Sequence, residues 1–212
     1  MNKFIHAMAA VAAIALMLAW SMPASAAAPT TAPGQNKLQC FDGASEGTVF
    51  GGDCTIKGKG AKGTATLDLT DNDPQGDFAG VFTADSNLYG MPVADITQMS
   101  YHYTASIDPQ PGNLSYNIPI DTNGDGDTEF FLFVDAFYCP GDNGIVDIVN
   151  DPDCGMWEGG SVFYVNWDAF VAAHPTAKVA LDNFVFIVAE RTPVEPAAQY
   201  TVSNVKFGKP GK

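Results

Sequence analysis

The feature that most constrains this chain is a rhythm: short runs of alternating apolar and polar residues, cut at near-regular intervals by clusters of Gly, Pro, Asp and Asn. Thr64-Ala65-Thr66-Leu67-Asp68-Leu69 places Ala65, Leu67 and Leu69 on one side, the period-two mark of a half-buried strand. The turn cluster Asp71-Asn72-Asp73-Pro74-Gln75-Gly76-Asp77 ends it. A strand follows over 78–83. After a turn, the segment 96–107 sets Met99, Tyr101, Tyr103 and Ala105 on one face. Asp108-Pro109-Gln110-Pro111-Gly112-Asn113 turns the chain back, and Leu114, Tyr116, Ile118 and Ile120 alternate with Ser115, Asn117 and Pro119. Proline cannot donate to a sheet ladder, so this strand is expected at an edge or bulge and not at the centre.

Further along, Phe130-Phe131-Leu132-Phe133-Val134-Asp135-Ala136-Phe137-Tyr138 is apolar on both faces, which predicts an inner strand. Strands are also predicted around Thr48-Val49-Phe50 and over 161–165, 184–190 and 200–207. Residues 139–160 read as a long acidic loop. One helix is expected, with Asn166 capping Trp167 to His174 and Pro175 stopping it, its face formed by Trp167, Phe170, Val171 and His174. Many short strands with one short helix predict an all-β fold, an antiparallel β-sandwich of the jelly-roll kind with about eight strands.

Lys3, the apolar run from Ala7 to Trp20 and the small-x-small ending Ala24-Ser25-Ala26 read as a signal peptide over 1–26. No later apolar stretch reaches the ~18 residues of a membrane span. The expected protein is therefore secreted, to a periplasm or the medium, with no membrane attachment after signal removal. Residues 27–37, rich in Ala, Pro, Thr and Gly, form a flexible leader to a single domain over 38–212. In an oxidising compartment Cys40, Cys54, Cys139 and Cys154 suggest two disulfides. The preferred pairs are Cys40 with Cys54 and Cys139 with Cys154, since each brackets a short Gly- and Asp-rich loop; no C-x₂-C spacing supports a Cys₄ metal site.

Ten Lys and Arg stand against 24 Asp and Glu, a net charge of −14. Between Gly63 and Ala177 there is no Lys or Arg, while 18 Asp and Glu occur. Such a field disfavours nucleic acid as a partner and is relieved by bound divalent cations. An acidic surface kept for solubility is the plainer alternative. The densest array of oxygen ligands is Asp121, Asn123, Asp125, Asp127 and Glu129, on alternate positions with Gly124 and Gly126 between them. Hard cations such as Ca²⁺ are held by six to eight oxygens from loops of this composition. Set against the EF-hand loop, Asp121, Asn123 and Asp125 take positions 1, 3 and 5 and Gly126 the invariant glycine, but Leu132 stands where a bidentate Glu is needed. The loop resembles the first half of dockerin-type calcium repeats only. The missing ligands are expected from Asp135 or from the Cys139 to Cys154 loop, and the role of Ca²⁺ as structural. A polar hairpin turn without a cation is the alternative, because Asn-Gly and Asp-Gly are turn formers by themselves.

For catalysis the inventory is thin. His174 sits at a helix end, His102 stands alone, and neither G-x-S-x-G nor H-E-x-x-H occurs. A glycan-active hydrolase would need two carboxylates across a cleft, and Glu129, Glu158 or Glu190 could supply one. For binding, Tyr101 and Tyr103 on one strand face and Trp157 beside Gly159-Gly160 offer rings that stack on the apolar faces of sugars. Phe131, Phe133 and Phe137 share a strand face too, but are expected to fill the core.

The succession of Phe41-Asp42-Gly43, Ile96-Thr97-Gln98-Met99-Ser100-Tyr101, Ile120-Asp121-Thr122-Asn123-Gly124-Asp125-Gly126, a Trp-containing loop, Ala172-Ala173-His174-Pro175 and Tyr200-Thr201-Val202-Ser203-Asn204-Val205 resembles secreted bacterial jelly-roll proteins with one Asp-rich loop. These are similar in turn to the galactose-binding-like fold of many carbohydrate-binding modules. The resemblance implies fold more than function. The expectation is a secreted, calcium-stabilised, non-catalytic sandwich that binds an extracellular glycan or cell-surface component, or else a structural or adhesive protein that self-associates through its edge strands.

Overall fold

The computed structural model describes residues 38–43, 50–58, 63–70, 73–83, 87–139, 141–206 and 208. The expected signal peptide, the leader and most of the strand expected around Thr48-Val49-Phe50 lie outside these residues. The elements are β1 (Leu38–Asp42), β2 (Asp53–Lys57), β3 (Thr64–Leu69), β4 (Asp77–Thr83), β5 (Ser100–Ala105), β6 (Leu114–Asp121), β7 (Phe130–Asp135), β8 (Ile145–Asp147), β9 (Met156–Glu158), β10 (Val162–Tyr164), α1 (Trp167–Ala173), β11 (Lys178–Val179), β12 (Val185–Arg191) and β13 (Ala198–Lys206).

The strands form two antiparallel sheets. The larger runs β1-β4-β12-β6-β7-β9-β10, with β11 beside the end of β6; the smaller runs β2-β3-β13-β5-β8. Within them, β4-β12-β6-β7 and β3-β13-β5-β8 are built from strands that, apart from the β6–β7 hairpin, alternate between the two sheets along the chain. That interleaving is the jelly roll, and it makes an all-β sandwich of the chain. Period-two alternation fixes which side of each strand is dry. Ala65, Leu67 and Leu69 of β3, Leu114, Tyr116, Ile118 and Ile120 of β6, Leu132 and Val134 of β7, Ile187 and Ala189 of β12, and Tyr200 and Val202 of β13 form the core between the sheets.

Disulfides join Cys40 to Cys54 and Cys139 to Cys154. The first ties edge strand β1 of one sheet to edge strand β2 of the other. Helix α1 is capped as its sequence predicts: the Asn166 side-chain oxygen accepts from the Ala169 amide at 3.0 Å. Its Trp167 and Phe170 are buried in the core.

Three expectations are corrected. Strand β6 is not at an edge: it lies between β12 and β7, and all eight of its residues are buried. Pro119 is tolerated because its β12-side neighbour changes there. Pairing with β12 ends at Asn117, pairing with β11 starts at Ile120, and the Pro119 carbonyl accepts from the Ala180 amide at 3.0 Å in between. The missing N–H falls at that junction. The segment from Cys40 to Cys54, expected as a Gly- and Asp-rich loop around one short strand, begins within β1 and ends within β2, and the long acidic loop holds β8 and β9. Finally, Phe131 and Phe133 do not fill the core. Leu132 and Val134, between and beyond them, do.

Candidate functional site

That last correction brings an aromatic row to the outer face of the large sheet. Phe133 pairs with Asn117 of β6 on one side and Trp157 of β9 on the other. Asn117 pairs with Phe186 of β12, Phe186 with Phe82 of β4, and Trp157 with Phe163 of β10. Cross-strand partners point to the same face, so Phe82, Phe186, Asn117, Phe133, Trp157 and Phe163 make one line across six strands on the outer face of the large sheet. At ~4.8 Å per strand it spans roughly 24 Å. Phe186 and Val188 are buried yet belong to this outer face and not to the core.

The rings brace one another edge to face. Phe186 meets Phe41 and Phe131 with centroids 5.7 Å apart in T-shaped contacts. Trp157 lies 4.9 Å from Phe163, and Tyr138 lies 6.2 Å and 6.0 Å from those two. The line thus ends in a cluster of Phe137, Tyr138, Trp157 and Phe163 in which Phe137 is 47% and Phe163 42% exposed. In the middle of the line sits a polar group. The Asn117 amide donates to the Ser115 hydroxyl at 2.9 Å and is otherwise enclosed by the aromatic face.

The other rings singled out in the sequence have different places. Tyr101 is buried in the core, stacked on Tyr116 with centroids 6.1 Å apart, and reaches no surface. Tyr103 is half-buried on the smaller sheet, so only Trp157 of the three stands on the aromatic face. Alternation alone could not say which side of Phe130 to Tyr138 faced the core, because both sides are apolar. The usable signal was shape: branched Leu132 and Val134 pack a core, while large rings on the other parity need not.

The acidic loop joins β6 to β7. Asp121, buried at the end of β6, turns its carboxylate inward onto the loop, accepting from the Gly124 amide at 2.6 Å and the Gly126 amide at 3.0 Å. Both glycines adopt positive φ, 88° and 96°, which the tight wrap requires. The Asn123 and Asp125 side chains each accept from the amide two residues on, and Glu129 reaches back to the Thr122 amide and the Asn123 side chain, both at 2.5 Å. Asp121, Asp125 and Glu129 each offer an oxygen within 4.8 Å of the others. Asp127 is exposed and Asn123 offers a neutral oxygen already used by the Asp125 amide.

Among the described residues neither Asp135 nor a carboxylate of the disulfide loop joins this cluster. Asp135 closes the opposite end of β7, five residues and ~17 Å from Phe130. There it accepts from the Gly112 and Phe137 amides. The acidic loop is instead stitched to residues 181–183: the Leu181 backbone amide donates to the Gly126 carbonyl at 2.7 Å, the Thr128 hydroxyl to Asp182, and the Asn183 side-chain Nδ2 to the Thr128 hydroxyl oxygen.

Of the two histidines in the domain, His102 sets its ring nitrogen 3.1 Å from the Asn143 carbonyl, whereas His174 joins Glu158 and Tyr164 in a three-way contact. Among the described residues no helix is long and apolar enough to cross a membrane. No family model matches the chain, and neither does any curated protein or solved structure. Fold and surface together define a disulfide-stapled jelly-roll sandwich with an aromatic outer face and an acidic hairpin loop.

Proposed function

We propose that this is a secreted, non-catalytic binding module whose large sheet takes a carbohydrate chain on its outer face, with the acidic loop held by a structural Ca²⁺. The observation that carries the reading is the open end of the line, where half-buried Phe133 and Trp157 meet exposed Phe163, with the buried Phe186 and Asn117 continuing the row behind them. Aromatic faces stack on the apolar faces of sugar rings, and a few fixed polar groups set orientation. A linear, uncharged polymer suits a long shallow row in an acidic surface better than a compact anion does. Two disulfides suit an oxidising compartment. Ca²⁺ would be held by Asp121, Asp125 and Glu129, a carboxylate set whose hardness fits that ion.

A glycan array tests the reading, with wild type, Trp157→Ala and Phe133→Ala, each with and without chelator. Binding by the wild type and its loss in both variants is the expected result. No retained glycan, together with calcium-dependent oligomers in sedimentation, would overturn it in favour of a self-associating surface protein.

A further inference from the structure

The exposed end of the aromatic face rides on a weak ribbon. Strands β9 and β10 have three residues each; among the described residues β10 pairs with β9 alone, and β9 meets β7 at Leu132–Glu158 and Phe133–Trp157, flanked by the Gly159 amide on the Phe131 carbonyl and the Gly155 amide on the Tyr138 carbonyl. Ladders this short fray readily. Yet this ribbon carries Trp157 and Phe163 outward. Their neighbours in sequence, Glu158 and Tyr164, therefore point to the opposite face, and both meet His174. The Tyr164 hydroxyl donates to Glu158 Oε2 at 2.5 Å. His174 Nε2 lies 2.9 Å from that hydroxyl and 3.0 Å from Glu158 Oε2.

With the tyrosine proton committed to the carboxylate, the contact requires Nε2 to carry a proton and share it between the two oxygens. His174 is itself fixed. Its amide closes α1 on the Phe170 carbonyl at 3.0 Å, and its ring packs on Phe130 and Phe170 at 5.5 and 5.2 Å. The three groups join β9, β10 and the end of α1 at one point, and hydrogen bonds to a carboxylate are the stronger kind.

We propose that Glu158, Tyr164 and His174 form a latch that positions the Trp157 and Phe163 rings, making them positioning residues of the aromatic face. The link to sugar binding rests on the function proposed above; the latch itself does not. Amide hydrogen exchange across 156–164 tests it without any ligand, in wild type, Tyr164→Phe, His174→Ala and His174→Gln. Tyr164→Phe removes one oxygen and keeps the ring against Phe170, so folding is preserved. Its expected result is exchange roughly tenfold faster in 156–164 with β6 and β12 unchanged. His174→Gln, whose side-chain N–H can replace the Nε2 proton, restores slow exchange where His174→Ala does not. Unchanged exchange in Tyr164→Phe, or acceleration spread evenly over β6 and β12, would overturn the latch. The same proteins on the glycan array separate the two ideas. Accelerated exchange in 156–164 with no glycan bound by wild type leaves the latch standing and removes the sugar reading, whereas binding lost in Tyr164→Phe alongside accelerated exchange supports both.

Discussion

The ring of Phe41 occupies the space a side chain on Gly80 would need. A Cβ at Gly80 would come within 2.3 Å of the Phe41 Cζ and 2.6 Å of the Ile187 carbonyl oxygen. Phe41 can swing away, but the carbonyl is backbone of the central strand β12 and cannot. Gly80→Ala is therefore expected to destabilise by about 1–3 kcal/mol, the usual cost of overpacking, and to lower the thermal midpoint. A midpoint equal to wild type would show that β4 shifts freely, against the close packing seen here.

Calcium is the second test. Extracellular sites bind at ~10⁻⁴ to 10⁻³ M, so about 10 mM Ca²⁺ should add roughly 1.4–2.7 kcal/mol by mass action. Asp125→Ala should abolish the gain, whereas Asp127→Ala, outside the converging group, should keep it. A wild-type melting curve indifferent to Ca²⁺ and to chelator would remove the cation from the account.

The third concerns the staples. The two disulfides close sequence separations of 14 and 15 residues, for which loop-closure entropy gives about 3 kcal/mol each. Cys139→Ser with Cys154→Ser should lower stability by about that amount, read from urea midpoints. The Cys40–Cys54 pair should behave likewise, because it closes a loop of nearly the same length.

Stability should also fall as pH rises from about 4 to about 8. Burial pushes the Asp135 carboxyl up to about 6, partly opposed by hydrogen bonds from the Phe137 and Gly112 amides. Burial, then the charges of Asp135 and Glu195, push Glu190 up to about 8. In the unfolded chain both titrate near pH 4, so the native state holds more protons between those values. Their contribution is complete below about pH 4 and is lost as pH rises through 6 and then 8, on the order of 1.4 kcal/mol for each unit of displacement. Glu190→Gln should flatten the upper part of that decline. An unaltered pH profile of urea midpoints in this variant would refute the assignment.

Much of this fold is written plainly in the alternation. The buried parity of β3 and the Asn166 cap of α1 follow from local pattern, and both disulfides follow from short bracketed loops. What local pattern could not supply was partnership. Pro119 looks like an edge marker until the neighbour of β6 is known to change beside it. Phe131 and Phe133 look like core until Leu132 and Val134 are seen to take that side. Asp135 looks like a ligand for the acidic loop until β7 is seen to run straight and carry it away. The aromatic line exists only once six strands are in register, so no single segment announces it.

The partnership of β3 with β13, and of β4 with β12, has a consequence for how the chain reaches this state. Ala198 pairs with Leu69 and Arg191 with Asp77, so the middle of each sheet waits for residues more than a hundred positions later. Contacts that distant make folding slow. A chain emerging from its first end has no finished half to rest on, and β13, arriving last, slots between β3 and β5 to complete the smaller sheet. Until then the rings of the outer face and the apolar side of every strand lack their distant partners, and the local hairpins β2–β3, β6–β7 and β9–β10 and the two short disulfide loops are features that can form early.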